Sequence, residues 1–99
     1  MSVQVFDKED GPYLRWMDAH PTGFVLNIER RPGSKIMVLH KSKCGHIASY
    51  ASGYKENPFT GQDTIKVCSE TIDELRHWIR SERSASEGFS HYCRSCSPI

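Results

Sequence analysis

Hydrophobic and polar positions alternate along two short stretches in the first half of the chain, as they do in β-strands. In the first stretch, Phe24, Leu26 and Ile28 fall on one face. The second stretch, residues 36–41, has apolar side chains on both faces. The sequence between them contains a Pro-Gly pair, which suits a chain reversal because glycine accepts a positive φ. The pattern therefore predicts a β-hairpin within residues 23–44.

Apolar residues recur at helical spacing in two other segments. The first segment can be capped by Asp10, and it must end before Pro21 because proline disfavours a helical conformation in the residue before it. Trp16 is the expected anchor of this helix on the hairpin. The second segment opens with the capping box Thr71-Ile72-Asp73-Glu74. The residues expected to pack this helix on the sheet are Leu75, Trp78 and Ile79.

These elements predict an α+β fold. We expect a short N-terminal helix, a three-stranded antiparallel sheet completed by residues 64–68, a C-terminal helix packed on the sheet, and a tail held by a metal ion. Residues 42–63 are rich in Gly, Ser, Asn and Pro and are predicted to form a long loop. A chain of 99 residues is the length of one domain, so we expect residues 1–99 to form a single unit.

Composition places the chain among ordinary globular proteins, with 37% hydrophobic and 25% charged residues. The formal net charge of +1 gives no global basic field, so nucleic-acid binding would need a local patch. The N-terminus is acidic where a signal peptide is basic, and no apolar run approaches the roughly 18 residues of a membrane span. We therefore expect a cytoplasmic protein without membrane contact, in which thiols stay reduced.

Four cysteines are the strongest chemical signal. Cys93 and Cys96 have the two-residue gap that lets both sulfurs bind one ion. Cys44 follows the hairpin and Cys68 ends the third strand, so their sulfurs would meet if those strands are neighbours. We predict a structural Zn²⁺ bound by Cys44, Cys68, Cys93 and Cys96. Such a site would bring the net charge to about −1, and zinc removal should unfold the domain.

Other roles for these residues stay open. His40, His46 and His91 can each replace one cysteine, and His46, in the CGH sequence, is the first choice. Alternatively, Cys44 and Cys68 are buried apolar side chains and the terminal pair is reduced or oxidised, or disulfides form. A thioredoxin-like redox role is disfavoured, because too few residues follow the C-terminal pair to form the helix that activates such a thiol.

A resemblance covers most of the chain from Tyr13 onward. It is carried by the runs YLRWMDAHPTGFVLN, MVLHKSKC, KVCSETIDELRHW and CRSC. They resemble small bacterial domains with the layout W-xx-HP-x-GFVLN, LH-xxx-C, KVC-xxxxx-L-xx-W and C-xx-C, which occur alone or appended to other modules. The resemblance implies no particular activity, and it implies that the four cysteines act together.

Basic and aromatic residues around the hairpin indicate a recognition surface, since cations hold phosphates and aromatic faces stack bases. The predicted nucleic-acid-binding residues are Arg30, Arg31, Lys35, Lys41, Lys43, Tyr50 and Tyr54. A protein partner is the alternative, because an aromatic loop on a nearly neutral chain also suits a protein interface. It is also open that the charges are simply solvated and the aromatics fill the core. No small-molecule substrate is indicated.

A ββα-metal nuclease of the HNH type is the enzymatic alternative. His46, Asn57 and His77 follow its order of strand histidine, loop asparagine and helix histidine. Gly45 stands where an acidic metal ligand normally precedes the histidine, and the 20 residues from Asn57 to His77 are too many for the compact motif. Phosphate-binding, dinucleotide, zinc-protease and serine-hydrolase motifs are missing, so a non-enzymatic function is favoured and the nuclease stays the enzymatic alternative.

Overall fold

The structure is a computed structural model that describes residues 3–31, 36–42, 44, 60–61, 64–83, 91–94, 96 and 98. These residues form five strands and two helices. In chain order they are β1 (Gln4–Phe6), α1 (Asp10–Ala19), β2 (Phe24–Glu29), β3 (Met37–Lys41), β4 (Thr64–Ser69), α2 (Ile72–Arg83) and β5 (His91–Tyr92). Within these described ranges, neither helix is long and apolar enough to cross a membrane.

The five strands form one mixed sheet in the order β1-β4-β2-β3-β5. All neighbours are antiparallel except β3 and β5, which are parallel. The prediction of an α+β fold is confirmed, and its three strands form the centre of the sheet. The prediction that the sheet has only three antiparallel strands is wrong. Strands β1 and β5 extend it with three and two residues, which is too short for a clear alternating pattern.

Helix α2 covers one face of the sheet. Leu75 and Ile79 are fully buried there and Trp78 packs at the margin, as the sequence predicts. The sheet side chains beneath the helix are Leu26, Ile28, Met37, Leu39, Ile65 and Val67. The predicted capping box is confirmed, because the Glu74 amide donates to Thr71 Oγ1 at 3.3 Å. The Glu74 carboxylate also accepts from Ser69 Oγ at 2.7 Å, which fixes the start of α2 to the end of β4.

Helix α1 covers the opposite face, with Trp16 buried at its centre as expected. The other buried members of this cluster are Phe6, Tyr13, Met17, Val25, Cys44, Cys68 and Cys93. The Trp16 ring stacks on His20 with centroids 4.4 Å apart. The α1 core thus contains three of the four cysteines, whereas the α2 core contains none.

The start of α1 is tied to Thr60, which is fully buried. The Thr60 amide and hydroxyl both donate to Asp10 Oδ1, at 2.8 and 2.7 Å. The N-cap residue is Glu9, so the prediction that Asp10 caps the helix is wrong. Asp10 is instead the first helical residue, and its carboxylate holds Thr60 at the start of α1.

Candidate metal centre

Four side chains meet in the α1 core with the donor atoms of a metal site. They are His40, Cys44, Cys93 and Cys96, and their ligand atoms all lie within 4.8 Å of one another. The Cys44 and Cys93 sulfurs are 3.7 Å apart. Two sulfurs bound to one tetrahedral zinc ion at about 2.3 Å would be about 3.8 Å apart. None of the four cysteines forms a disulfide. The spacing therefore suits a shared metal ion.

The parallel pairing of β3 and β5 brings the donors together, because the chain leaves both strands at the same end of the sheet. His40 lies near the end of β3, and Cys44 follows in a turn closed by a 3.0 Å bond from its amide to the Lys41 carbonyl. The Cys93 amide donates to the Leu39 carbonyl at 2.8 Å and so continues the ladder one residue beyond β5. Each strand thus delivers two ligands.

Burial and hydrogen bonding favour a bound cation at this place. His40, Cys44 and Cys93 are 6%, 3% and 8% exposed, and Cys96 is only partly exposed. The Lys41 amide donates to Cys96 Sγ at 3.2 Å, a bond of the kind that stabilises a metal-bound thiolate. Three thiolates and one divalent ion would add one negative charge, which takes the chain from +1 to about zero.

No family model, curated protein or solved structure with which the chain was compared matches it. What the site can do chemically is therefore argued from its donors. Three thiolates and one imidazole complete a tetrahedral shell and leave no position for water or substrate. An ion held in this way stabilises structure and does not activate a water molecule.

Cys68, one of the four predicted ligands, is not a member of this group. It lies on β4, where its partner in register is Val25 of β2, and Val25 in turn pairs with His40 of β3. Strand β2 therefore separates β3 from β4, and two strand spacings amount to about 10 Å. Burial raises the pKa of the Cys68 thiol far above its ordinary value, while Lys66 acts in the opposite direction. Cys68 is a neutral thiol in the core.

His40 takes the place that the sequence assigned to Cys68. His46, the first choice among the histidines, lies outside the described residues. His91 lies on β5 and is not one of the four clustered side chains. One signal could have found His40: its spacing of four from Cys44 resembles the short spacing of the C-terminal pair, and zinc sites are commonly built from two such pairs.

The described members of the predicted nucleic-acid surface lie at two ends of the hairpin. Lys41 pairs with Phe24 at the start of β2. Arg30 and Arg31 follow the end of β2, six residues further on, which corresponds to about 20 Å of extended chain. The remaining members lie outside the described residues: Lys35, Lys43, Tyr50 and Tyr54. The described cations therefore do not form the one cluster that the sequence suggested.

Arg30 has a structural role at its end of the hairpin. Its guanidinium forms an ion pair with Asp7. It also donates to the Thr60 carbonyl at 2.8 Å, beside the buried Asp10 carboxylate that holds Thr60. These bonds link the end of β2 to the segment that leads into α1.

For the nuclease alternative, the structure describes only His77. This residue is exposed on α2, which packs on the face of the sheet opposite the α1 core and its cysteines. His46 and Asn57 lie outside the described residues. His77 is therefore remote from the candidate metal centre and lies on the solvent side of the helix.

Proposed function

We propose that the chain is a small recognition module stabilised by one structural Zn²⁺ ion, with His40, Cys44, Cys93 and Cys96 as its ligands. The observation that carries this proposal is the convergence of four buried or half-buried donors within 4.8 Å. Soft thiolates combined with imidazole in a tetrahedral set favour zinc over the harder divalent ions. A closed shell of four protein ligands favours a structural role over a catalytic one.

The zinc ion would hold the tail on the sheet. Strand β5 has only two residues, His91 and Tyr92, and both are exposed. So short a ladder buries little surface and does not stabilise itself. A metal that joins Cys44 to Cys93 connects positions 49 residues apart and fixes β5 beside β3. The edge of the sheet thereby becomes a defined surface.

The uneven distribution of charge supports nucleic acid as the partner. Between Glu29 and Glu56 the sequence has six Lys and Arg residues and no acidic residue. After Glu87 it has one Arg and no acidic residue. All four proposed zinc ligands lie in these two basic segments, although the whole chain is nearly neutral. Basic segments of this kind on a nearly neutral chain are typical of proteins that bind phosphate groups.

Native mass spectrometry of matched cysteine variants tests the zinc site. We expect one zinc ion in the wild type, retention of that zinc in Cys68→Ala, and its loss in Cys44→Ala. Both substitutions remove a buried thiol from the same core, so a difference between them reports ligation and not packing. Chelation should also lower the thermal midpoint by more than about 10 °C, since a structural zinc contributes several kcal/mol to folding.

Two results would contradict the proposed site. One is a wild-type protein, purified with zinc present, whose native mass matches the metal-free chain. The other is zinc that stays bound in Cys44→Ala and is lost from Cys68→Ala, because that pattern would place Cys68 in the shell.

A further inference from the structure

A basic and aromatic surface borders the candidate metal centre at the β5 edge of the sheet. Its members Lys41, His91, Tyr92 and Arg94 are all exposed. Tyr92 is 48% exposed and is one of three large apolar side chains with high exposure among the described residues. We call these four residues the β5 edge surface.

The proposed zinc ligands fix the position of this surface. Tyr92 directly precedes Cys93, and Arg94 lies between Cys93 and Cys96. Lys41 belongs to the neighbouring strand, and its amide donates to Cys96 Sγ at 3.2 Å. Two cations and one aromatic ring therefore project from backbone that the metal would hold rigid. Little conformational entropy would then be lost when a ligand binds.

The proposed metal centre and the β5 edge surface differ in the sign of their formal charge. One divalent ion with three thiolates would carry a single negative charge, whereas Lys41 and Arg94 are two cations in the same segments of the chain as the ligands. Lys43 adds a third in the same segment of sequence. No acidic residue occurs between positions 30 and 55 or after Glu87. The segments that carry the surface are therefore basic in sequence.

We propose that the β5 edge surface binds single-stranded nucleic acid, with phosphates on Lys41 and Arg94 and an unpaired base stacked on Tyr92. The proposal rests on the proposed function, because zinc positions the surface. A single strand fits better than a duplex, since only an unpaired base offers its face to a tyrosine ring. It also fits better than an acidic peptide, which would use the cations and leave the ring without a partner.

This surface differs from the one that the sequence predicted. Arg30, which follows β2, forms an ion pair with Asp7 and donates a hydrogen bond to the Thr60 carbonyl. Lys41 is shared by the two sets, whereas Tyr92 and Arg94 were not predicted. Tyr92 and Arg94 belong to the β5 edge surface because β5 pairs with β3 and so brings the tail next to Lys41.

Binding of a fluorescent single-stranded oligonucleotide tests the proposal. The probe is a mixed-sequence DNA of about 12 nucleotides in about 50 mM salt, and anisotropy is measured with the zinc-loaded full chain. We expect Tyr92→Ala and Arg94→Ala each to weaken binding roughly 5- to 20-fold. Tyr92→Phe keeps the ring and should bind within about twofold of the wild type.

Arg80→Ala is the matched control, because it removes one exposed positive charge from α2, a helix that contributes no residue to the β5 edge surface. We expect its affinity for the oligonucleotide to stay within about twofold of that of the wild type. The same sequence as a duplex should bind more weakly than the single strand, and a polyglutamate peptide should bind weakly without any response to Tyr92→Ala.

Several results would overturn the proposal while the zinc site stands. These are zinc-loaded wild type that does not bind the oligonucleotide, zinc-loaded Tyr92→Ala and Arg94→Ala that bind like the wild type, or polyglutamate that binds as well as the single strand. A wild-type protein that carries no zinc in its native mass spectrum contradicts the proposed function instead. The zinc content of every variant is measured, so that a failure of the nucleic-acid proposal can be distinguished from a failure of the zinc site.

Discussion

At the scale of single residues, Gly23 lies where the packing leaves no space for a side chain. A Cβ atom built on it would lie 2.7 Å from Trp16 Cη2 and 3.2 Å from the Ser69 carbonyl oxygen. Because one of these neighbours is backbone and the other is a buried ring, neither can move cheaply. We predict that Gly23→Ala lowers the free energy of unfolding by about 1–3 kcal/mol, measured by urea denaturation.

Gly11→Ala is the control for this prediction. Gly11 is exposed on α1, and an added Cβ would meet only the flexible end of Arg15 at 3.4 Å. Since alanine is the better helix former, we expect the same stability or a gain of up to about 1 kcal/mol. Equal effects of the two substitutions would show that Gly23 is not packed as described.

Lys66 makes stability depend on pH. Burial lowers its pKa to about 8, against the opposing influence of Asp10 and Cys68. The ordinary pKa of 10.5 applies in the unfolded chain, which therefore binds more protons than the folded chain between pH 8 and 10.5. The buried charge costs about 3 kcal/mol at neutral pH, and this cost disappears as pH rises through that window.

We predict that Lys66→Met is more stable than the wild type at pH 7 by about 1–3 kcal/mol, and that the difference shrinks toward pH 10.5. The gain is reduced by loss of the 2.7 Å bond from Lys66 Nζ to Asn27 Oδ1. Urea denaturation across this pH range measures it, with the exposed Lys41→Met as the control. A variant that is less stable at neutral pH by an amount independent of pH would refute the prediction.

The residue scale also shows how far the sequence could specify the site. Cys44, Cys93 and Cys96 were predicted to lie together because cysteine is the least ambiguous ligand and two of them are closely spaced, and the structure clusters them. Cys68 was grouped with them because it ends the third strand, which would bring it to Cys44 only if that strand lay next to β3. Its separation from His40 depends on which strand lies between them, and that information is not local in the sequence.

At the scale of elements, β5 is the part of the sheet that would depend most on a bound metal ion. Its two residues are exposed, and the two bonds at its end are from the Cys93 amide to Leu39 and from the Lys41 amide to Cys96 Sγ. Strands β2 and β4 pair over six residues in the middle of the sheet and do not need the tail. Loss of the ion should therefore release β5 before the centre opens.

We predict that a chelator accelerates hydrogen exchange at the Cys93 and Lys41 amides well before it affects the amides shared by β2 and β4. Hydrogen exchange followed by NMR, with and without chelator, measures this order. The zinc-loaded protein with added zinc is the control. Simultaneous loss of protection throughout the sheet would contradict a separate role for β5 and would support global unfolding, as the sequence alone suggested.

Elements with several turns or alternating positions were predictable. Helix α2 and strands β2, β3 and β4 each carry a complete local pattern, and their pairing in one sheet follows from the hairpin and from shared burial. Strand β5 has no pattern because two residues cannot show one. The order of strands was also beyond local signals, because β4 crosses to the far side of β2 from β3.

At the scale of the whole molecule, the sheet separates two cores of different chemistry. The α2 core is aliphatic and contains no cysteine. The α1 core is aromatic and sulfur-rich, and the candidate metal centre lies at its edge. The sequence predicted that both helices pack on the sheet, whereas the division of roles between the two faces depends on the strand order.

X-ray absorption at the zinc edge tests the central claim most directly, because it counts the atoms bound to the metal. For the zinc-loaded protein we predict three sulfur atoms at about 2.3 Å and one nitrogen atom at about 2.0 Å. His40→Cys should change this shell to four sulfurs, and Cys68→Ala should leave it as it is. A shell of four sulfurs in the wild type would place Cys68 at the metal and contradict the site described.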